Sequence, residues 1–319
     1  VSVVDGNITL YTDSRYADRA PAELAQVNSS AEVVIAVAEL AAEVRSALGA
    51  ASIVGLEADH VSWSRQQLID ATWLPDADVQ PTTAVVDSLR AIKDDAEVAR
   101  ISRAASIVDH ALADVLPHLS AGLTERQFAA TLEQAIRSGG ADDIGFDTIV
   151  ASGPNGAIPH HAPGDRTIVA GDLVIVDVGG RVDGYRSDMT RTFCIGEMTA
   201  DQQRHYDTVI AAQQAGVEAM NEGALTSAVD AAARAVIDLA GWGDSFTHGT
   251  GHGVGIDIHE LPRVAKDAQD RYELGTVATV EPGVYLQAVG GVRIEDTCVV
   301  TEAGALRLTG FPKDLAVVG

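Results

Sequence analysis

The stretch Asp177–Asp188, DVGGRVDGYRSD, constrains this chain more than any other. Four apolar residues, Leu173-Val174-Ile175-Val176, run into Asp177. A second acid, Asp188, follows after Gly179-Gly180 and Asp183-Gly184. Gly-Gly and Asp-Gly tolerate positive φ and are hairpin turn chemistry. A turn centred between Val182 and Asp183 sets Asp177 opposite Asp188 on antiparallel strands, where Cβ atoms lie about 5 Å apart. Two carboxylates that close repel, and each disfavours the ionisation of the other. A cation between them removes the conflict, so the rest of the chain is expected to supply further ligands.

Three later segments carry them. His248-Gly249-Thr250-Gly251-His252-Gly253-Val254-Gly255 places two histidines four apart among glycines, which let backbone approach a site closely. Val280-Glu281-Pro282-Gly283 ends the apolar strand Thr276–Val280 on an acid, and Val292-Arg293-Ile294-Glu295-Asp296 returns with another. Glu281 and Glu295 flank a hairpin-like connection, so they too face each other and repeat the geometry of the first pair. Each piece alone has a plainer reading. An acid at a strand end is commonly a turn residue, a single buried histidine is commonly hydrogen-bonded core, and Glu-Pro-Gly is a turn. Together, four acids and a histidine each end or interrupt an apolar strand, where charge is costly unless compensated. Four carboxylates and an imidazole suit a pair of hard or borderline divalent ions, with carboxylates bridging about 3.5–4 Å. No thiolate is among them, which disfavours a structural zinc.

The surrounding chain reads as two domains. Residues 1–16 form strand, turn and strand around Asp5-Gly6-Asn7. A helical stripe over 31–48 (Val33, Val34, Val37, Leu40, Ala41, Val44, Leu48) ends at Gly49. Ser52–Leu56 is a strand and Val61 to about Ala71 a helix, which makes an incomplete α/β unit. From Ser88 to Val115 a long helix is expected, with Lys93-Asp94-Asp95-Glu97 on its solvated face. Thr124-Glu125-Arg126-Gln127 is a capping box opening a helix to Ser138, closed by Gly139-Gly140. Strand-like periodicity runs from 144 to 195, helices span Ala200–Asn221 and Leu225–Ala240, and short strands follow from 245. Helix, helix, strands therefore occurs twice, which predicts an α+β domain with pseudo-two-fold symmetry, helices outside and a curved antiparallel sheet inside. The expected division is 1–84 for the smaller α/β domain and 85–319 for the larger one.

Charge excludes several partners. The chain carries 22 basic and 46 acidic residues, a net charge of −24, whereas nucleic acid and anionic membranes need clustered Lys and Arg. No apolar run reaches the roughly 18 residues of a membrane span, and no signal peptide is visible. The two cysteines, Cys194 and Cys298, sit in apolar strand-like runs and read as buried reduced thiols of a cytoplasmic protein. The chain opens without Met in what reads as mid-strand, so an N-terminal portion is expected beyond it and the smaller domain is expected to be truncated.

Asp177, Asp188, His252, Glu281 and Glu295 match, in order and spacing, the five ligands of the pita-bread metallopeptidases. The strings GYRSDMTRTF, HGTGHGVGIDIHELP, VEPGVY and GVRIEDT resemble the prolidase/aminopeptidase P branch of that family over residues 85–319, and 1–82 resembles the tail of its N-terminal domain. The resemblance implies a two-metal hydrolase of the Xaa-Pro bond in dipeptides or short peptides. Asp188 and Glu295 would bridge both ions, Asp177 would hold one, and His252 and Glu281 the other. Mn²⁺ is the first choice, with Co²⁺ or Zn²⁺ also accepted. The ions would generate a hydroxide near neutral pH and polarise the scissile carbonyl, with Glu281 as the proton shuttle. His160, His248 and His259 match further histidines of the branch, able to donate hydrogen bonds to a developing oxyanion. His160 and His259 would also line a pocket for the proline ring. Arg263 resembles the arginine that takes a dipeptide carboxylate in prolidases; a salt-bridged surface arginine is the competing reading. Arg293 is expected to buttress Asp177 or Glu295, and Tyr185 to support the ligands, while His161 has no role beyond adjacency to His160. A homodimer is implied at family level. Two alternatives stand beside this one: a methionine aminopeptidase-like enzyme, and a non-catalytic binding module on the same fold.

Overall fold

The computed structural model describes residues 1–319 except 37, 38, 49, 50, 288, 315, 316 and 319. The chain divides into two compact units, Val1–Val86 and Asp87–Gly319.

The first unit is built from parallel pairs joined by helices. Strands β1 (Ser2–Val4) and β2 (Asn7–Thr12) form a hairpin whose turn, Asp5-Gly6, has φ of 50° and 80°. Helix α1 (Arg19–Gln26) leads to β3 (Glu32–Ile35), parallel to β2. Helix α2 (Leu40–Leu48) precedes β4 (Ile53–Glu57). Helix α3 (Trp63–Leu68) then leads to β5 (Asp78–Thr82), parallel to β4. The helical stripe expected over 31–48 is therefore only half a helix. Val33 and Val34 belong to β3, because the run Val33-Val34-Ile35 is β-branched and suits a pleated surface better than a helix. Val37 and Gly49 of that stripe lie outside the described residues. Strand β5 was not expected at all. Its Pro81 pairs with Leu56 in a two-stranded sheet, where a missing N–H need not break a ladder.

The helix expected over 88–115 is two, α4 (Val85–Ala91) and α5 (Asp95–Val115). Asp94 divides them: its carboxylate accepts from the N–H of Ala96 and Glu97, while Glu97 returns to the N–H of Asp94. Lys93 is not solvated. It is 5% exposed, its Nζ lies 3.0 Å from Glu260 Oε2, and burial lowers its pKa. Helix α6 (Glu125–Ser138) opens on the Thr124/Gln127 capping box.

Strands β6 (Asp143–Ile144), β7 (Ile149–Ser152), β8 (Leu173–Val178), β9 (Gly180–Val182), β10 (Tyr185–Arg186) and β11 (Met189–Ile195) follow. β7, β8 and β11 make an antiparallel sheet, and β9–β10 a small hairpin extended by β6. Helices α7 (Ala200–Ala219) and α8 (Thr226–Leu239) begin the second half. Its strands are β12 (Gly251–Gly253), β13 (Glu260–Val264), β14 (Val277–Val280), β15 (Gly283–Leu286), β16 (Gly290–Arg293), β17 (Asp296–Thr301) and β18 (Gly304–Arg307). They form an antiparallel sheet in the order β13-β12-β14-β17-β18 and a separate β15–β16 hairpin. Strand β19 (Val317–Val318) runs parallel to β11. The helix, helix, strands order thus repeats, and buried residues of α5 and α6 pack on β7, β8 and β11 as those of α8 pack on β13, β14 and β17. Both cysteines are buried and free. Among the described residues no helix is long and apolar enough to cross a membrane.

The two halves meet through side chains of β11. Thr192 Oγ1 donates to Arg293 O at 2.9 Å and accepts from Arg293 N at 3.1 Å. Arg191, 1% exposed, donates to Thr190 O, Glu295 O, Phe311 O, Pro312 O and, at 2.9 Å, Asp296 Oδ1. Arg191→Ala removes a shared donor from the buried Phe311 and Glu295 carbonyls and weakens compensation of Asp296. We expect it to destabilise the protein by about 3–5 kcal/mol, measured by urea unfolding; a loss below about 1 kcal/mol would mean that the contacts are replaceable.

Candidate metal centre

The apolar run 173–176 forms β8 because both of its faces are buried, and it delivers Asp177 to a cavity of about 420 Å³. The hairpin after it differs from expectation by one residue. Its turn is Asp183-Gly184, with φ of 49° and 85°, and Tyr185 pairs with Val182. A two-residue turn with positive φ at both positions suits Asp-Gly, whereas β-branched Val182 cannot enter that region cheaply. Asp177 consequently faces Thr190 rather than Asp188. The shift moves the pairing by two residues, and an even shift preserves the face. Asp188 remains beside Asp177 as a diagonal neighbour, and both line the cavity.

The second pair follows its expected register. β15–β16 pairs Gly283 with Arg293, and β14–β17 pairs Val280 with Asp296. Extending either ladder by regular steps sets Glu281 opposite Glu295, in the gap between the two. Glu281 N donates to Thr250 O at 2.8 Å, and Glu295 N to Thr190 O at 3.1 Å, so backbone from elsewhere fixes both positions.

One ligand atom each of Asp188, His252 and Glu295 lies within 4.8 Å of the others. The ring of His252, on β12, has Nδ1 at 3.0 Å from Gly253 O. That carbonyl takes the Nδ1 proton, so Nε2 faces the acids, 3.2 Å from Glu281 Oε1 and 3.6 Å from Asp188 Oδ2; it donates to Glu281 while protonated and offers its lone pair to a metal once that proton is lost. Thr190 Oγ1 donates to Glu295 Oε2 at 2.7 Å, and Thr279 Oγ1 to Glu281 Oε1 at 3.3 Å. Arg293 Nη2 donates to Asp177 Oδ2 at 2.7 Å. Two buried carboxylate oxygens, Asp177 Oδ1 and Glu295 Oε1, have no hydrogen-bond donor. Buried anionic oxygens without a donor are costly, and a divalent ion among these acids would satisfy both. The donor set, carboxylates with one imidazole and no thiolate, fits such ions.

The other sequence-selected residues line the same cavity: His160, His248, His259 and Arg263. The ring of His259 lies edge-on to His252, centroids 4.3 Å apart. His248 offers no free ring nitrogen. Its Nδ1–H goes to Gly249 O at 2.7 Å, and its Nε2 accepts from Tyr285 Oη at 2.8 Å. Tyr285 in turn accepts from Arg293 Nη1 at 2.9 Å, so hydrogen bonds run unbroken from Asp177 to His248. Tyr285 escaped sequence reasoning; its one signal was an aromatic residue in a strand otherwise read only as a connection. Arg263 stands opposite His252 on β13 and pairs with the exposed Asp267 at 2.7 Å, the contact its surface reading expects. Tyr185 is not at the site. Its hydroxyl donates to Glu97 Oε1 at 2.7 Å, and its ring packs beside Ile101 and Val277. His161 has a partner away from the cavity, Glu125, at 2.8 Å. Asp230 and Arg234, on α8, hold the loop that carries His248. Asp230 Oδ1 accepts from Thr250 N and Oγ1, and Arg234 donates to Phe246 O and His248 O.

Burial, with Glu295, Asp177 and Glu281 close by, pushes the Asp188 carboxyl well up. Burial and the charges of Glu281 and Asp177 do the same to Glu295. Burial would also raise Glu281, but its hydrogen bond to His252 and the nearby positive charge hold it at about 2. Burial opposes ionisation of His252 too, yet the bond to Glu281 raises it. In the metal-free protein Asp188, Glu295 and His252 therefore bind more protons folded than unfolded. Their contribution to stability falls as pH rises above the ordinary carboxylate range; the depressed Glu281 opposes this in acid below its ordinary value of 4.5, and His205, His248 and His259, each lowered by burial, oppose it below their ordinary value of 6.5. We expect a higher metal-free Tm at about pH 7 than at about pH 9, above the range in which those histidines titrate, and the reverse order with divalent ion present, since ligands must be deprotonated to bind it. Calorimetry at both pH values checks this; a metal-free Tm that rises with pH refutes it.

Residues 99–302 match the family model of metallopeptidase family M24, and residues 2–92 that of the Creatinase/Prolidase N-terminal domain. The chain is 41% identical over 231 residues to the Xaa-Pro dipeptidase of Pyrococcus furiosus, which covers 72% of this chain and 66% of the relative. It is 40% identical over 237 residues to the probable dipeptidase PepE of Mycobacterium tuberculosis, covering 74% and 63%. The match thus spans about two thirds of the length of these relatives. The solved Xaa-Pro dipeptidase from Bacillus anthracis superposes with a TM-score of 0.92 at 34% identity, over 99% of this chain and 88% of that one. The prolidase from Pyrococcus furiosus does so at 0.88 and 36%, over 97% and 89%. The duplicated antiparallel architecture, the clustered carboxylates and the span of these matches agree: the chain belongs to metallopeptidase family M24, with a pita-bread domain preceded by a Creatinase/Prolidase N-terminal domain.

Proposed function

We propose that this protein is a two-metal peptidase that hydrolyses the Xaa-Pro bond of dipeptides or short peptides. The observation that carries the reading is the pair of donor-less buried oxygens, Asp177 Oδ1 and Glu295 Oε1, in a cavity shared with Asp188, His252 and Glu281. Asp177, Asp188, His252, Glu281 and Glu295 would hold the ions. Bound there, divalent ions would lower the pKa of water and polarise the scissile carbonyl. Glu281 accepts the proton of the attacking water and passes it to the leaving prolyl nitrogen. Arg293 holds Asp177 in place and is itself held by Tyr285. His160 and His259 present ring edges towards the substrate, and one N–H from them steadies the developing oxyanion. An Xaa-Pro bond has no N–H on the proline side, so recognition there is by shape, and Ile258 and Phe146 add apolar walls to the cavity. The oxygen-rich donor set puts Mn²⁺ first. We read 1–84 and 85–319 as the two domains of a cytoplasmic homodimer, on the strength of the family resemblance.

Metal removal and Mn²⁺, Co²⁺ or Zn²⁺ add-back, with an Xaa-Pro dipeptide assayed against a Met-Ala-Xaa tripeptide, tests the function. We expect metal-dependent release of proline and little tripeptide cleavage; preference for the tripeptide would favour the methionine aminopeptidase-like alternative. Asp188→Ala should lose both ions and at least about 10³-fold in kcat while the fold persists. An active, metal-replete variant would refute the ligand assignment.

Arg263 decides substrate length. If it receives the carboxylate of a dipeptide, Arg263→Met raises KM for Xaa-Pro by roughly tenfold or more with kcat nearly unchanged. The same variant should leave a longer Xaa-Pro peptide almost unaffected. Equal effects on both substrates would return Arg263 to its surface pairing with Asp267.

A further inference from the structure

Glu125 is the first residue of α6 and is 0% exposed, yet no Lys or Arg side chain hydrogen-bonds it among the described residues. Neutral donors and one histidine surround it. Its Oε1 accepts from Ser152 N at 2.8 Å, Ser152 Oγ at 2.7 Å and Asn155 Nδ2 at 3.0 Å. Its Oε2 accepts from Asn155 Nδ2 at 3.2 Å, His161 Nε2 at 2.8 Å and Gly164 N at 3.1 Å. Burial favours its neutral form, but the N–H of Ser152, His161 and the other donors outweigh this and hold its pKa below the ordinary range. A buried carboxylate in contact with donors alone is satisfied only while every donor stays in place.

Those donors are the two ends of one loop. Ser152 and Asn155 lie at its start, His161 and Gly164 at its close, and Pro159 and His160 are what it carries to the cavity. The loop also touches the metal centre directly, for Arg293, which holds Asp177, donates to Pro159 O at 3.3 Å. Its first turn lies against the backbone of β16: a Cβ on Gly291 would sit 1.9 Å from Gly156 O. With its start wedged against β16, the stretch that bears His160 is held at its far end by the Glu125 carboxylate together with Arg126 N, which donates to Gly164 O at 3.1 Å.

We propose that Glu125, with His161, is a positioning residue that clamps the 153–164 loop and sets His160 at the cavity. The proposal rests on the function above only for its catalytic consequence; the clamp itself is independent of substrate. Glu125→Gln turns one oxygen into an NH₂ group facing donors, and so repels part of the loop end. His161→Ala removes a single donor and leaves the rest of the carboxylate satisfied, so it keeps the test open if Glu125→Gln does not fold.

The experiment uses the full chain loaded with Mn²⁺. Hydrogen exchange of the 153–164 backbone is compared in the unaltered protein, Glu125→Gln and His161→Ala, alongside bound-metal content. We expect exchange there to quicken by about tenfold or more, with α7, α8 and metal content unchanged. Xaa-Pro hydrolysis is then measured for the same variants with and without His160→Ala. We expect kcat/KM to fall about tenfold in the parent background and less than about twofold once His160 is gone, because the clamp acts through that ring. Unchanged exchange in the loop overturns the clamp. Equal losses in both backgrounds overturn action through His160. If the unaltered protein hydrolyses no Xaa-Pro substrate, the proposed function fails, and the exchange result still decides the clamp.

Discussion

Everything in the larger unit depends on keeping negative charge buried in one place. Asp177, Asp188, Glu281 and Glu295 meet in a cavity whose fixed cation in direct contact is Arg293, and two of their oxygens face no donor. Such an arrangement needs either protons or a cation, so the fold must hold it against its own repulsion. It does so with strands on both sides, and with threonine hydroxyls placed at three of the four acids. Thr190 serves Glu295, Thr279 serves Glu281, and Thr297 holds the carbonyl of Asp188. The stability that these contacts supply is bound up with the protonation of the site. That is why fold, pH and metal are linked through the same few residues.

The duplicated architecture explains how one chain delivers ligands from both sides. Each half supplies a hairpin whose two arms bring an acid to the cavity, and the halves are locked through β11. The locking residues alternate with the ligand-supporting ones: Thr190 and Thr192 reach toward Glu295 and Arg293, while Arg191 points the other way to Asp296 and Phe311. Period-two alternation in a strand makes this possible, since successive side chains face opposite sides. The histidine-bearing loops are held from outside by buried acids on the helices, Glu125 on α6 and Asp230 on α8. Helices therefore do more than cover the sheets.

Much of the site was legible because its residues break local rules. An acid ending an apolar strand, or a histidine set among glycines, is a conflict between sequence pattern and solvation. Conflicts of that kind are where function resides. Capping boxes were legible for the same local reason, since the Thr124/Gln127 pattern is satisfied within one turn. The strand β3, the break at Asp94 and the burial of Lys93 were not. Two of these depend on a partner far along the chain, Leu10 and Tyr11 for Val33 and Val34 and Glu260 for the Lys93 ammonium; the break at Asp94 is a local capping box with Glu97, hidden by the helical pattern that runs on across it.

The amino-acid sequence by itself determined which residues could not be left alone in a core: Asp177, Asp188, His252, Glu281 and Glu295. It also determined that hairpin turns would bring the acids together in pairs, because turn chemistry and apolar runs are local. Tertiary structure decided the rest. Strand pairing beyond the Asp183-Gly184 turn set Thr190 rather than Asp188 opposite Asp177. Packing joined Tyr285 to Arg293 and His248, sent Tyr185 to Glu97 instead of the site, and gave His161 to Glu125. Residue type states what a side chain needs, but only packing decides which of several distant partners lies within hydrogen-bond reach.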